Sequence, residues 1–358
     1  MPGVSCIFAA ACDALAFRFA SCIRSSFSHS RMNDPFQEKV KMKIHRLRIP
    51  TPFPVGPINV TLLVDDPITL VDTGPQTDEA FAALREQVRA CGISLERIRR
   101  IVLTHSHEDH AGQAARLQAL SGATVYVHPW EAERLSPAFE YTAYRHLLAE
   151  LGVPEEVIAQ FEALRRALRA LIAPVSEIAL LEDGDELTFE HESWRVVHTP
   201  GHTPGHIGLF SEGRRLFIAG DTVLKRITPN PVLNPDPQNA RHRFPSLRRF
   251  LASLDRLREL APVSVITGHG EEVDDFEAYR HEIHRHVRQR QEAVRAALGA
   301  QALTPWELSL RLFPDARTDQ RFLALSETIA HLDLALSEGT VVRERRDGIE
   351  FYRAALSP

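Results

Sequence analysis

The sequence predicts an α+β fold, a sheet covered by helices, followed by a smaller helical module closed by a hairpin. Three observations carry this expectation. Short β-rich runs alternate with helical stretches over residues 43–280. Histidines and aspartates recur beside glycine where apolar strands end. Beyond residue 280 helices dominate, up to a terminal hairpin signal at Asp347 and Gly348. At 358 residues, with 44% hydrophobic and 25% charged residues, the chain suits one large domain and an appendage. A formal net charge of −5 gives no general attraction to nucleic acid or to an anionic membrane.

Residues 1–42 stand apart as an N-terminal extension that is expected to be poorly structured. Small residues, Ser, Arg18, Arg24 and Arg31 fit an organelle transit peptide, and Met32 or Met42 offers an alternative start. Asp13 and Arg18 interrupt the apolar run, so a secretory signal or membrane anchor fits poorly. Cys6, Cys12 and Cys22 lie here and leave Cys91 for the body. A disulfide framework is thereby excluded, and a reducing, cytoplasmic compartment is expected. Any metal must be held by His and carboxylate.

From Lys43, "KIHRLRIPTPF", "INVTLLVDD" and "ITLVDTG" read as strands separated by turn residues. "TDEAFAALREQVRACG" is a helix with Thr77 or Asp78 as its N-cap and Gly92 as its stop. "RIRRIVLTHSH" is a strand, "AGQAARLQALSG" a helix from near Ala111, and "ATVYVHP" a strand. Residues 131–173 form a helical insertion between strand regions, placed to lie over one end of the sheet. Strands resume in "ALLEDGDELTFEHESWRVVHTPGH" and in "HIGLFSEGRRLFIAGD", with a hairpin turn at Ser211 to Gly213. The stretch from "GDTVLKR" to Pro237 reads as a long irregular loop of the substrate-lining kind. "FPSLRRFLASLDRLRELAP" is an amphipathic helix and "VSVITGHG" a buried strand. Residues 281–358 then supply three helices, one beginning at Thr304 and Pro305, and the terminal hairpin, a winged-helix-like module.

"THSHEDHAG" places three histidines and two acids at the end of an apolar strand, where sheet-and-helix folds build their sites. "HTPGHTPGH" adds His198, His202 and His206; "IAGDT" adds Asp221; "ITGHG" adds His269. His105, His107 and His202 can form a three-histidine metal site, and Asp109, His110 and His269 a second. Asp221 can bridge them with one carboxylate oxygen on each metal. Such ligands suit two Zn2+ ions per chain, with Fe or Mn as alternatives. A metal pair of this kind polarises a carbonyl or phosphoryl group and holds a bridging hydroxide as nucleophile, with Asp109 available for proton transfer.

"HSHEDH", "TPGHTPGH", "GDT" and "GHG", in this order, resemble the metallo-β-lactamase fold superfamily over roughly residues 43–280. The resemblance implies a four-layer αβ/βα sandwich with metals at one edge between two sheets. It also implies a supporting role for Asp72 in "LVDTG". "TPGHTPGH" looks most like glyoxalase II, and the C-terminal module resembles the winged helix appended to a subgroup of these hydrolases.

The leading expectation is a metal-dependent hydrolase of a small acyl compound: an ester, a thioester or a lactone. An endoribonuclease, a β-lactamase, a single-iron sulfur dioxygenase and a DNA-binding ligand sensor are the alternatives. Nucleic acid is disfavoured because "SETIAHLDLALSEG" carries Glu327, Asp333 and Glu338 and no Lys or Arg. Packing, homodimerisation or closure of the pocket is expected of the module instead. Among the neighbours of the ligand set, His206 supports it, His198 and His128 are structural, and Tyr141, Arg145 and Lys225 line the substrate.

Overall fold

The computed structural model describes residues 41–136, 142–226, 228–299 and 301–355. In chain order the first half comprises β1 (Lys43–Ile49), β2 (Ile58–Val64), β3 (Thr69–Val71), α1 (Asp78–Ala90), β4 (Arg100–Val102), α2 (Glu108–Ala111), α3 (Ala114–Ser121), β5 (Thr124–Val127), α4 (Pro129–Leu135), α5 (Thr142–Glu150), α6 (Glu155–Arg169) and β6 (Ile178–Leu180). The second half comprises β7 (Glu186–Thr188), β8 (Ser193–His198), β9 (Ile207–Ser211), β10 (Leu216–Ile218), β11 (Pro235–Asp236), β12 (Asn239–Arg243), α7 (Ser246–Leu260), β13 (Ser264–Ile266), α8 (Phe276–Leu298), α9 (Pro305–Leu312), α10 (Arg321–Ser337), β14 (Val341–Arg346) and β15 (Ile349–Ala354).

Two sheets result, one ordered β1-β2-β3-β4-β5-β6 and the other β13-β10-β9-β8-β7. Strands β3 to β6 run parallel, as do β10 and β13, so their carboxyl ends collect at common edges. The period-two alternation of each strand divides its side chains between two cores. Leu62, Leu70, Ile101 and Val125 face outward onto Leu84 and Val88 of α1 and Leu117 of α3. Their neighbours Leu63, Val71 and Val102 face inward onto Trp194, Val196, Leu209, Ile218 and Ile266 of the second sheet. Val197, Phe210, Phe217 and Val265 of that second sheet point outward onto Leu247, Phe250, Leu254 and Leu257 of α7. Helix, sheet, sheet, helix is the four-layer order expected. Near 25 cal/mol per Å2 of apolar surface removed from water, burial of whole side chains such as Trp194 and Phe217 is the main stabilising contribution.

Helices α4, α5 and α6 occupy the expected insertion, and α8 to α10 with the β14–β15 hairpin form the expected terminal group. Asp347 (φ 50°) and Gly348 (φ 84°) make its turn, both in the left-handed region that two-residue hairpin loops demand. The two groups share one core: Tyr144, Leu147, Ile158 and Phe161 pack with Phe322, Leu325, Ile329 and Tyr352. The expected boundary at residue 280 falls inside α8, whose continuous helix joins the second sheet's outer core to this one.

Several expectations shift. Met42, assigned to the N-terminal extension, is buried between the sheets, whereas residues 1–40 lie outside the described residues. The loop running to Pro237 ends in β11, which pairs with β12 just beyond it. Buried Arg243 at its end pairs with Asp333 and Glu350 and reaches the Tyr352 hydroxyl, so a charged side chain fixes it to the terminal group. Helix formation after β4 begins at Glu108 rather than near Ala111, with Asp109 and His110 already on the first turn. No helix among the described residues is long and apolar enough to cross a membrane.

Candidate metal centre

Four strand ends meet at one edge between the sheets. β4 delivers His105 and His107, α2 carries Asp109 and His110, the loop after β8 brings His202, and the turns after β10 and β13 bring Asp221 and His269. Seven side chains predicted from sequence are therefore brought together. Nδ1 of His107 lies 3.0 Å from Nε2 of His105 and 3.0 Å from Nε2 of His202. These three nitrogens form one group that could hold a metal ion; Asp109, His110 and His269 form a second.

Asp221 stands between the groups. Its Oδ2 is 3.6 Å from Nε2 of His202, while Oδ1 is 3.4 Å from Nε2 of His110 and 3.8 Å from Nε2 of His269. Oδ1, His110 Nε2 and His269 Nε2 are buried without hydrogen-bond partners. Leaving such atoms unsatisfied costs about 1–3 kcal/mol each, and a cation coordinated among them removes that cost. The donor set thus fits a metal ion: neutral imidazoles on one side, two carboxylates on the other.

The ring tautomers are set from behind. His202 donates from Nδ1 to the Asn230 carbonyl at 3.0 Å, and His269 from Nδ1 to the Pro57 carbonyl at 3.1 Å. Each leaves an Nε2 lone pair facing the centre. Asp72, with φ 60°, accepts from the Thr104 amide at 2.8 Å and from Nδ1 of His110 at 2.8 Å. His206 is equally engaged: Nε2 accepts from the Asp221 amide at 3.1 Å, and Nδ1 meets the Thr199 and Thr222 hydroxyls. Both predicted supporting residues stand directly behind ligand-type side chains.

Electrostatics divides the centre in two. Burial pushes the His105, His107 and His202 imidazoliums below the usual histidine range, reinforced for His107 by His202, Arg134 and Arg165. Burial opposes charge on His110 as well, but Asp221, Asp72 and Asp109 outweigh it and hold that imidazolium well above the usual range. Asp221 feels burial first and is nonetheless held well below the carboxylate range by His110 and His269.

Other expected residues sit elsewhere. Tyr141 lies outside the described residues. Arg145 pairs with Glu155 and Glu162 inside the insertion, so its charge is committed there and does not face the ligands. Lys225 pairs with exposed Glu271 at 3.4 Å. His198 and His128 stack on each other at 4.4 Å; Nε2 of His198 donates to the Pro204 carbonyl, and Nδ1 of His128 caps α4.

Two supports went unnoticed in the sequence. Glu131 is fully buried and accepts from the Ser106 amide and hydroxyl and from the Gly205 amide. One carboxylate thereby clamps the loop of His105 and His107 to the loop of His202. Asn59, also buried, donates from Nδ2 to the carbonyls of Thr267 and Gly270 and so steadies His269.

The model of the metallo-beta-lactamase superfamily matches residues 53–269, a span holding all seven ligand-type residues. The chain belongs to the metallo-beta-lactamase superfamily. The probable metallo-hydrolase YqjP of Bacillus subtilis is 35% identical over 304 residues, 82% of this chain and 92% of that protein. A crystal structure of a metallo-beta-lactamase family protein from Thermus thermophilus superposes with a TM-score of 0.74 at 32% identity, covering 87% of this chain and 98% of that one. Human acyl-coenzyme A thioesterase MBLAC2 is 30% identical over 122 residues, 34% of this chain and 40% of that protein. The fold is that of the superfamily, and the chain is a metallo-hydrolase by kinship.

Proposed function

We propose that this chain is a two-metal hydrolase of a small ester, thioester or lactone. The observation that carries the reading is the Asp221 carboxylate, with one oxygen toward His202 and the other toward His110 and His269. His105, His107 and His202 would hold one ion, Asp109, His110 and His269 the other, and Asp221 both. When bound, a zinc pair, or its iron or manganese counterpart, supplies Lewis acidity toward a carbonyl oxygen and a nucleophilic water near neutral pH.

The chain's own residues do the rest. Asp72 and His206 keep His110 and Asp221 aimed; Glu131 and Asn59 keep the loops in register. Asp109, buried beside His269 and His110, is assigned to assist proton transfer as an acceptor. A thioester is the favoured substrate within this class, on the glyoxalase II-like "TPGHTPGH" stretch and the similarity to an acyl-coenzyme A thioesterase.

We assign the C-terminal group, winged-helix-like in element order, to packing and pocket closure rather than nucleic-acid binding. Helix α10 buries eleven residues and ties up Glu327 and Asp333 in pairs with Arg290 and Arg243, so it has no cationic face for phosphates. The low cysteine content supports a cytoplasmic location. The deciding experiment measures metal content with hydrolysis of thioester, lactone, β-lactam and RNA substrates, in wild type, Asp221→Ala and His105→Ala. Thioester or lactone turnover lost in both variants supports the reading; one tightly bound iron, or turnover indifferent to both changes, overturns it.

A further inference from the structure

A cleft of about 530 Å3 is lined by none of the seven ligand-type residues. Four elements wall it: the end of α5, the β11–β12 hairpin, α10 and the β14–β15 hairpin. The period of two in a strand puts Arg343 and Arg345 on one face of β14, and their cross-strand partners Tyr352 and Glu350 on the same face of β15. That face meets buried Arg243 at the end of β12.

The floor of the cleft is a closed charge network. Glu350, fully buried, meets Arg243 at 2.9 Å, Arg343 at 3.2 Å and Arg345 at 3.3 Å, and accepts from the Tyr352 hydroxyl at 2.8 Å. Arg243 donates twice more to Asp333, at 2.5 and 2.7 Å, and Arg345 reaches Glu150 at 2.9 Å. Three guanidiniums thus face three carboxylates. Such a network adds little net stability, because desolvation offsets the attraction, but it holds its arginines in fixed positions at the base of the cleft.

Donors remain above the floor. Arg343, with its side chain 40% exposed, touches Glu350 through Nη1 alone, and exposed Arg241 has no side-chain partner among the described residues. Acceptors remain too: Asp236 uses Oδ1 on the Gln238 amide and Glu150 uses Oε1 on Arg345, which leaves the second oxygen of each. Cations beside carboxylate acceptors suit a ligand with an anionic head and neighbouring hydroxyls. The head takes the guanidinium edges in two-point contacts, and the hydroxyls donate to the acids. The volume falls within the roughly 300–1,000 Å3 of small-molecule sites.

We propose that this cleft is a second ligand site, separate from the metal centre, which binds a small hydroxylated anion, a phosphate or a carboxylate, at Arg241 and Arg343. It goes beyond the hydrolase reading and stands without it.

The test titrates metal-loaded and chelator-treated full-length protein calorimetrically with glycerol 3-phosphate, glycerate and glycerol, which share a hydroxylated frame and differ in charge. A charged probe is expected to bind in both metal states while glycerol does not, and the tighter of the two charged probes names the anion read. Arg241→Gln and Arg343→Gln are each expected to weaken that probe roughly tenfold, the loss of one charge-assisted contact, with partial recovery in Arg241→Lys. Arg241 is exposed and holds no partner in place, so its variants decide the matter even where Arg343→Gln fails to fold. Charged binding that vanishes on chelation puts the anion on the metals and overturns the site. So do equal affinity for glycerol and the charged probes, no binding of either charged probe, and an affinity unchanged in Arg241→Gln.

Discussion

Glu131 offers the most demanding check on how the centre is assembled. Its carboxylate accepts from the Ser106 amide at 3.1 Å, from the Ser106 hydroxyl and from the Gly205 amide at 2.9 Å, with the side chain fully buried. Ser106 lies between His105 and His107, and Gly205 lies between His202 and His206. Glu131→Ala orphans two backbone donors and a hydroxyl, at about 1–3 kcal/mol for each donor that finds no new partner. The hydroxyl can rotate toward another acceptor, so a loss of roughly 2–6 kcal/mol is expected from the two amides. That is a large share of the roughly 5–15 kcal/mol that holds a typical domain folded. Glu131→Gln keeps the shape but turns one acceptor into a donor, so one amide stays unsatisfied and about 1–3 kcal/mol is lost. Urea unfolding of chelator-treated protein reads both values. Zinc competition reads the consequence for the site: with the clamp released, nitrogens now 3.0 Å apart drift, and affinity falls roughly 10–100-fold. A Glu131→Ala protein as stable as wild type, with undiminished zinc affinity, would refute the clamp.

Three further outcomes are expected. Asp221→Ala should lower zinc from about two ions per chain to one or none, measured by inductively coupled plasma mass spectrometry; full occupancy would show that the carboxylate is not shared. Gly268→Ala places a Cβ 2.2 Å from Asp221 Oδ1 and 2.9 Å from the Gly220 carbonyl carbon, so it should displace Asp221 and cut zinc occupancy while the far-ultraviolet circular dichroism stays near wild type. His331, buried in α10, is pushed down to about 3, by burial first and then by Arg290 and His286. Above pH 6.5 it is neutral in both folded and unfolded chains and contributes nothing to the pH dependence. As pH falls below 6.5 only the unfolded chain binds the proton, so about 2 kcal/mol is lost by pH 5. His331→Leu should remove that part of the acid-side slope in urea midpoints, and a slope unaltered by the substitution would place the titration elsewhere.

The ligand set was legible because its chemistry needs particular side chains at places a linear pattern marks. An apolar strand that ends in Thr-His-Ser-His, and glycine beside Asp221 and His269, both show in the order of residues alone. Glu131 did not show, since an acid in the first turn of "PWEAERL" reads as an exposed helix-start residue, and its three donors come from two loops distant in sequence. Asn59 did leave a mark: it is an amide in "INVTLLV", a strand buried at six of seven positions. Arg145, expected to line the substrate, turns away for a reason that the helix period exposes. Arg145 follows buried Tyr144 but falls off the stripe formed by Tyr144, Leu147 and Leu148, and it turns to Glu155 and Glu162. Arg165 continues the buried stripe of Ile158 and Phe161 by three and then four residues, the spacing that keeps side chains on one face. A cation on the apolar stripe of an insertion helix must meet either an acid or a ring there. Here Phe322 and Tyr144 supply the rings.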